Sequence, residues 1–293
     1  MHRETIGWIG TGVMGRSMAM HILENGYEMN VYNRTKEKAG DLIRKGALWR
    51  ENPSEVARHS DIIFTMVGYP ADVEEVVLGE KGALAGARKK SVLIDMTTSD
   101  PSLAVRIHEA ARVLGVAALD APVSGGDVGA REGKLAIMAG GDETTFKKVL
   151  PLFKLMGENI ALMGGPGAGQ HTKMSNQILI ASTMIGMVES LHYARRAGLD
   201  MGAVIDVIGK GAAASWSINN LGRRIVDGNF DSGFFVKHFV KDMGIALREA
   251  ERMNLALPGL ALAKQFYTAA MALGMENLGT QALYRVFERM NSA

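Results

Sequence analysis

Apolar residues follow two rhythms along this chain. Over the first 164 residues, short apolar runs at 5–9, 28–32, 61–67, 91–95, 116–120, 135–139 and 159–163 predict strands. Helix-length segments lie between several of them. In 13–24, Met14, Met18 and Ile22 fall at i, i+4 and i+8 on one helix face, and Asn25-Gly26 is a stop signal. Segments 102–114 and 143–155 behave alike. Strand alternating with helix predicts a mostly parallel sheet with helices on both faces.

The rhythm changes at Gly164-Gly165-Pro166-Gly167-Ala168-Gly169, where glycines and a proline break any regular element. Beyond it the pattern is helical. Segment 168–198 reads as one unusually long helix, followed by 201–209, 216–227, 236–253, 259–272 and 280–290. No strand is read there. The expected architecture is an α/β nucleotide-type domain over 1–164, then an all-α domain over 165–293, joined by a long helix.

Composition narrows the function. Lys plus Arg is 33 and Asp plus Glu 31, for a net charge of +2, so nothing calls for nucleic acid or an anionic membrane. No run approaches the roughly 18 apolar residues of a membrane span. The opening Met1-His2-Arg3-Glu4-Thr5 runs straight into the first strand pattern without a signal-peptide layout, and a cytoplasmic setting is expected. The absence of cysteine removes disulfides, thiolate nucleophiles and Cys-ligated zinc. His171 and His238 stand in no metal-ligand spacing, so no metal is expected.

Gly10-Thr11-Gly12-Val13-Met14-Gly15 is a G-x-G-x-x-G pattern. Its position after a predicted strand and at a predicted helix start makes it a dinucleotide-binding turn. Gly10 permits the turn, Gly12 lets a pyrophosphate approach the backbone, and Gly15 lets helix pack on strand. N–H groups at the helix start then face the phosphates. The second strand ends Asn33-Arg34-Thr35, where an NAD site usually carries an acidic residue for the ribose hydroxyl. Asn33 does not repel a 2′-phosphate, Arg34 offers a planar fork of donors, and Thr35 a hydroxyl. The pattern favours NADP(H), with NAD(H) also used. Arg34 and Thr35 read equally simply as a solvated cation and a helix cap.

Four segments in order resemble the β-hydroxyacid dehydrogenases, the family of 3-hydroxyisobutyrate dehydrogenase, tartronate semialdehyde reductase and the glyoxylate/succinic semialdehyde reductases. They are Gly7 to Gly15, Asp120-Ala121-Pro122-Val123-Ser124-Gly125-Gly126, Gly169-Gln170-His171-Thr172-Lys173-Met174-Ser175-Asn176, and Lys241-Asp242-Met243. The resemblance covers essentially the whole chain. It implies a Rossmann-type first domain and hydride transfer between a nicotinamide cofactor and a small 3-hydroxy acid or semialdehyde.

The resemblance further implies Lys173 as general acid/base. An ammonium stabilises the alkoxide formed in reduction and supplies its proton. Asn176, three residues on, shares the helix face and would bond substrate or orient the lysine. Ser124, Gly125 and Gly126 would cradle a substrate carboxylate, though they also suit a plain turn. Trp216 is a candidate pocket residue beside Ser215, Ser217, Phe234 and Phe235, equally readable as core. Lys241 would reach the cofactor near the nicotinamide. Cofactor contacts are implied at Met66, Val67, Gly68, Asp72 and Thr97-Thr98, with the Thr98 hydroxyl offered to the nicotinamide end. Here Val67-Gly68 replaces the family's Leu-Pro and Asp72 its asparagine, which puts the side-chain contact at Asp72 in question. A Met-, Leu- and Ala-rich helical domain, with the resemblance, suggests a homodimer or homotetramer.

Other readings stay open. Imine reductases on this fold usually lack the lysine. A 6-phosphogluconate dehydrogenase has a longer helical domain. A silent NADPH-binding scaffold or sensor would have lost Lys173. The small-molecule carboxylate substrate is not identified by the sequence.

Overall fold

The computed structural model describes residues 3–291. Two compact units divide the chain, Met1–Lys173 and Met174–Ala293. The first holds a nine-stranded sheet: β1 (Ile6–Ile9), β2 (Met29–Tyr32), β3 (Leu48–Trp49), β4 (Ile62–Thr65), β5 (Val92–Asp95), β6 (Ala117–Asp120), β7 (Val123–Ser124), β8 (Leu135–Gly141) and β9 (Gly157–Leu162). Their order is β3-β2-β1-β4-β5-β6-β8-β7, with β9 also pairing β8. The first six strands pair in parallel, and β8 runs antiparallel to β6 and β7. The 3-2-1-4-5-6 order is that of a dinucleotide-binding sheet.

Continuous apolar runs follow from burial on both faces. Along β1, Ile6 and Trp8 enter one core with Met18, Ile22, Phe64 and Phe153. Ile9 enters the other, with Val56, Ile63, Leu93 and Ile107. Trp8 stacks on Phe64 at 5.1 Å between ring centroids. The expected strands at 28–32, 61–67 and 91–95 appear within a few residues of their predicted ends. Strands β3 and β7 were not expected, because two residues carry no readable period.

The helices of this unit are α1 (Val13–Glu24), α2 (Gly40–Arg44), α3 (Pro53–Arg58), α4 (Pro70–Leu78), α5 (Ala83–Gly86), α6 (Pro101–Val113), α7 (Gly126–Glu132) and α8 (Glu143–Phe153). The long helix α9 (Ala168–Arg196) starts where the glycine-rich turn predicts. The first unit takes in the first turns of α9 through Lys173, which are hydrogen-bonded to β6 and to the segment after β5.

The second unit continues through α10 (Met201–Ile208), α11 (Gly222–Val226), α12 (Val236–Arg252), α13 (Pro258–Ala272) and α14 (Leu283–Asn291). Its core joins Met184, Val188 and Leu191 of α9 to Phe239, Met243, Tyr267 and Leu283. A π-helical turn at Ser217–Leu221 opens the segment expected as one helix over 216–227. Among the described residues no helix is long and apolar enough to cross a membrane, and no cluster of His, Asp or Glu is arranged to hold a metal ion.

Candidate active site

The glycine turn after β1 divides into structural and open positions. Gly10 has φ +98°, and a Cβ there would lie 2.2 Å from the Met66 carbonyl oxygen. A Cβ on Gly15 would lie 2.1 Å from the Gly10 carbonyl oxygen. Gly10 thus lets the turn close against the segment after β4, and Gly15 lets α1 close against the turn itself. Gly12 differs: its φ of −69° suits any residue, and nothing lies within 4 Å of an added Cβ. The first turn of α1, with Val13 and Met14, carries no acidic residue, and Gly12 supplies no side-chain cap. Its N–H groups are therefore offered to an anion. The Thr11 hydroxyl is buried with no hydrogen-bond partner in the structure. Open space at Gly12 and an orphaned hydroxyl beside it fit the pyrophosphate of a dinucleotide.

At the end of β2, the Asn33 carboxamide faces the glycine turn. Its Oδ1 accepts the Thr11 N–H at 2.9 Å and its Nδ2 donates to the Thr35 carbonyl at 2.8 Å. Arg34 projects outward, its side chain 84% exposed, and pairs with Asp72 at 3.4 Å. Asp72 also accepts the Tyr69 N–H at 3.1 Å, which caps α4. An exposed pair of this kind is worth no more than about 1 kcal/mol. A doubly charged phosphate competes readily for the guanidinium.

A polar row crosses the carboxyl edge of the sheet, where Thr65, Asp95 and Asp120 are register partners on β4, β5 and β6. Asp95 Oδ1 accepts the Thr65 hydroxyl at 2.7 Å and the Thr97 N–H at 3.1 Å. The Thr97 hydroxyl in turn accepts the Val67 N–H at 3.0 Å. This ties the segment Met66–Val67–Gly68 after β4 to the one carrying Thr98 after β5. Asp120 Oδ1 accepts the Gly167 N–H and its Oδ2 the Gln170 N–H, each at 2.8 Å. A carboxylate thus meets the positive end of α9. The motif glycine Gly169 allows this approach, since a Cβ there would lie 2.3 Å from the Met138 carbonyl oxygen. One turn further, Lys173 is buried, at 7% exposure. That is unusual for lysine, which rarely goes inside without a purpose.

Burial pushes the Asp95 carboxyl up to about 6, against the downward pull of its bonds from Thr65 and Thr97, and Asp120 adds repulsion. Burial raises Asp120 as well, against the pull of the Gly167 and Gln170 N–H groups. For Asp95 the folded value lies above the unfolded one, near 3.9. Its contribution to stability is therefore full below about pH 4 and lost as pH rises through about 6. Asp95→Asn keeps an acceptor oxygen for Thr65 and Thr97 but does not titrate. In urea unfolding, the variant is expected to gain about 3 kcal/mol on the wild type between pH 4 and pH 8. A difference that is flat with pH counts against this assignment.

Ser124 closes β7, and Gly125 and Gly126 follow at φ +129° and +63°. Two consecutive left-handed residues turn the backbone sharply while leaving it bare of side chains. The neighbouring Asp127 carboxylate turns to Arg131 at 2.6 Å.

In the second unit, Asn176 Nδ2 donates to Gln177 Oε1 at 2.7 Å, and Gln177 Nε2 donates to Asp242 Oδ2 at 2.6 Å. Asp242 Oδ1 lies 2.9 Å from Lys241 Nζ. Gln177 and Asp242 are each 1% exposed. A buried chain thus connects Asn176 to Lys241. Trp216 lies at the start of the π-helical turn and is 61% exposed, while Phe234 packs on Phe239 at 5.8 Å. Lys237 bonds Asn277 at 2.7 Å.

Sequence reasoning missed three parts of these networks: Gln170, Gln177 and the capping role of Asp120. One signal was present. Gln170, Lys173 and Gln177 are polar residues at i, i+3 and i+7, one face of a helix that had to be buried somewhere.

Fold and site together define a nicotinamide-dinucleotide-dependent oxidoreductase. Residues 5–165 match the NAD-binding domain of 6-phosphogluconate dehydrogenase, and residues 167–287 the NAD-binding domain of NADP-dependent 3-hydroxyisobutyrate dehydrogenase. The chain is 56% identical to an Arabidopsis thaliana protein called "Probable 3-hydroxyisobutyrate dehydrogenase-like 1, mitochondrial", over 98% of this chain and 86% of that one. It is 38% identical to the 2-hydroxy-3-oxopropionate reductase of Escherichia coli, over 97% of each. Its structure matches that of a 3-hydroxyisobutyrate dehydrogenase from Salmonella typhimurium with a TM-score of 0.88 at 28% identity, covering 97% of this chain and 100% of that one. The chain belongs to the 3-hydroxyisobutyrate dehydrogenase family. It is an NAD(P)-dependent hydroxyacid dehydrogenase.

Proposed function

We propose that this enzyme reduces a small carboxylate-bearing semialdehyde to its 3-hydroxy acid, with NADPH preferred over NADH. The observation that carries the reading is Lys173, a lysine buried at 7% exposure one turn into the helix that Asp120 caps. The relatives named for 2-hydroxy-3-oxopropionate and 3-hydroxyisobutyrate support this substrate class.

A nicotinamide cofactor held by the glycine turn would supply the hydride. Lys173 holds a proton at the carbonyl oxygen, stabilises the charge that develops there and donates the proton. In the reverse direction it accepts one. Asn176, three residues along the same helix, bonds the substrate oxygen or the lysine. Ser124, with the bare backbone of Gly125 and Gly126, holds the carboxylate, and Trp216 borders the substrate. Gly10 to Gly15 hold the pyrophosphate. Arg34 and Thr35 bind the 2′-phosphate, with Asn33 holding the turn. Met66, Val67, Gly68 and Thr98 border the rest of the cofactor, and Lys241 its nicotinamide end. Asp72 acts through Arg34. We also infer a homodimer or homotetramer, since Leu179 and Tyr193 of α9 are 70% and 77% exposed.

The test is consumption of NADPH and of NADH with tartronate and methylmalonate semialdehydes, whose products are 3-hydroxy acids, and with succinic semialdehyde and glyoxylate, whose products are a 4- and a 2-hydroxy acid. At least one is expected to turn over faster with NADPH. Arg34→Ala should lower kcat/KM for NADPH on the order of tenfold, the worth of one charge-assisted phosphate contact, and leave NADH within twofold. Oxidation of 3-hydroxyisobutyrate by NAD alone, with no NADPH activity, overturns the proposal.

A further inference from the structure

The Gln170 side chain is fully buried and has no place in the chemistry just described. Its Oε1 accepts the Ser99 N–H at 2.9 Å, and its Nε2 donates to the Thr97 carbonyl at 2.7 Å. These two backbone groups flank Thr98 on either side. One carboxamide thus brackets the residue assigned to the nicotinamide end, and it does so from the helix turn that precedes Lys173. Gln170 and Lys173 are three residues apart and lie on one helix face. The backbone of Gln170 is itself fixed, because its N–H donates to Asp120 Oδ2. Thr97 is held from its far side by Asp95 and Val67.

We infer that Gln170 is a positioning residue that sets the register between the Lys173 ammonium and the nicotinamide-facing segment Thr97-Thr98-Ser99. The reasoning rests on the proposed role of Lys173. Hydride transfer and proton transfer must occur at adjacent atoms of one small carbonyl, so the donor of each has to be placed to within a fraction of an ångström. A misplacement of about 1 Å costs on the order of 100-fold in rate. Most buried side chains tie one element to its neighbour through apolar contact, which tolerates sliding. A carboxamide with both ends engaged by fixed backbone groups does not slide, because each bond weakens steeply as its angle departs from linear.

The experiment compares Gln170→Met and Gln170→Glu with the wild type in the full chain. Methionine keeps the length and volume but makes neither bond. Glutamate makes only the bond from Ser99 while ionised. When protonated it recovers one donor and one acceptor in the arrangement of the glutamine. Three readings are taken: turnover of the fastest semialdehyde with NADPH, the NADPH dissociation constant by fluorescence, and amide hydrogen exchange at Ser99 without cofactor. Gln170→Met is expected to lower kcat 10- to 100-fold, to leave NADPH binding within threefold, and to speed Ser99 exchange at least tenfold. Gln170→Glu should regain activity relative to the wild type as pH falls from 8 to 5.5, which loss of packing alone does not produce. Unchanged Ser99 exchange in Gln170→Met overturns the inference. So does turnover within twofold of wild type, or a loss of turnover matched by an equal loss of NADPH binding. If Lys173→Ala retains activity, the proposed mechanism fails whatever Gln170 does. If Lys173→Ala collapses and Gln170→Met does not, only the inference about Gln170 fails.

Discussion

Lys173→Ala is expected to lower kcat by about 100- to 10,000-fold, the usual worth of a positioned acid/base group, with NADPH affinity changed less than threefold. The separation of the two effects follows from location. Lys173 lies on α9, whereas the dinucleotide turn lies between β1 and α1 and is shaped by close backbone contacts at Gly10 and Gly15. Lys173→Arg sharpens the test. Guanidinium keeps the positive charge and stabilises the developing oxyanion, but it does not give up a proton near neutrality. Arginine should therefore recover part of the electrostatic effect and none of the proton transfer, leaving a rate that no longer follows the pH dependence of the wild type. Steady-state turnover from pH 6 to 10, with NADPH titrated by fluorescence, checks both. Turnover of Lys173→Ala within tenfold of the wild type would remove Lys173 from the chemistry.

Gly12→Val should raise the NADPH dissociation constant by at least 100-fold, about 2.7 kcal/mol, and leave the melting temperature of the cofactor-free protein within about 2 °C. Nothing lies within 4 Å of an added Cβ at Gly12, and its φ of −69° is open to valine, so the fold has no objection. The only thing displaced is what binds there. Gly15→Ala is the contrasting control. Its Cβ would meet the Gly10 carbonyl oxygen at 2.1 Å, so α1 must shift from β1. That variant should lose stability and cofactor affinity together. Thermal melts and NADPH titrations on the two proteins distinguish a position that makes room for ligand from one that makes room for the chain. Normal NADPH binding by Gly12→Val would show that the pyrophosphate does not approach this turn.

Much of the architecture was legible because its signals are local. Runs such as 61–67 and 91–95 had to be strands buried on both faces, and the Rossmann order of the sheet agrees. The change at 164–169 marked the start of α9 correctly. That the first turns of α9 go with the first unit was not legible, since it depends on what they bond to. Asn33 was read as a neutral neighbour for phosphate, and the structure turns its carboxamide inward onto Thr11. Asp127 could have faced inward or outward, and its partner Arg131 sits one helical turn away.

By itself the sequence determined the strand and helix rhythm, the glycine turn, and the placement of Lys173 and Asn176 on one helix face, because period and spacing are properties of neighbours along the chain. Only the tertiary structure decided which polar residues meet. Asp120 caps α9 from 47 and 50 positions away, Gln170 reaches Thr97 and Ser99 across more than 70, and Gln177 reaches Asp242 across 65. A buried carboxamide must find partners, since an unsatisfied one costs about 1–3 kcal/mol. That requirement says that a partner exists, and the folding of the backbone alone says which one it is.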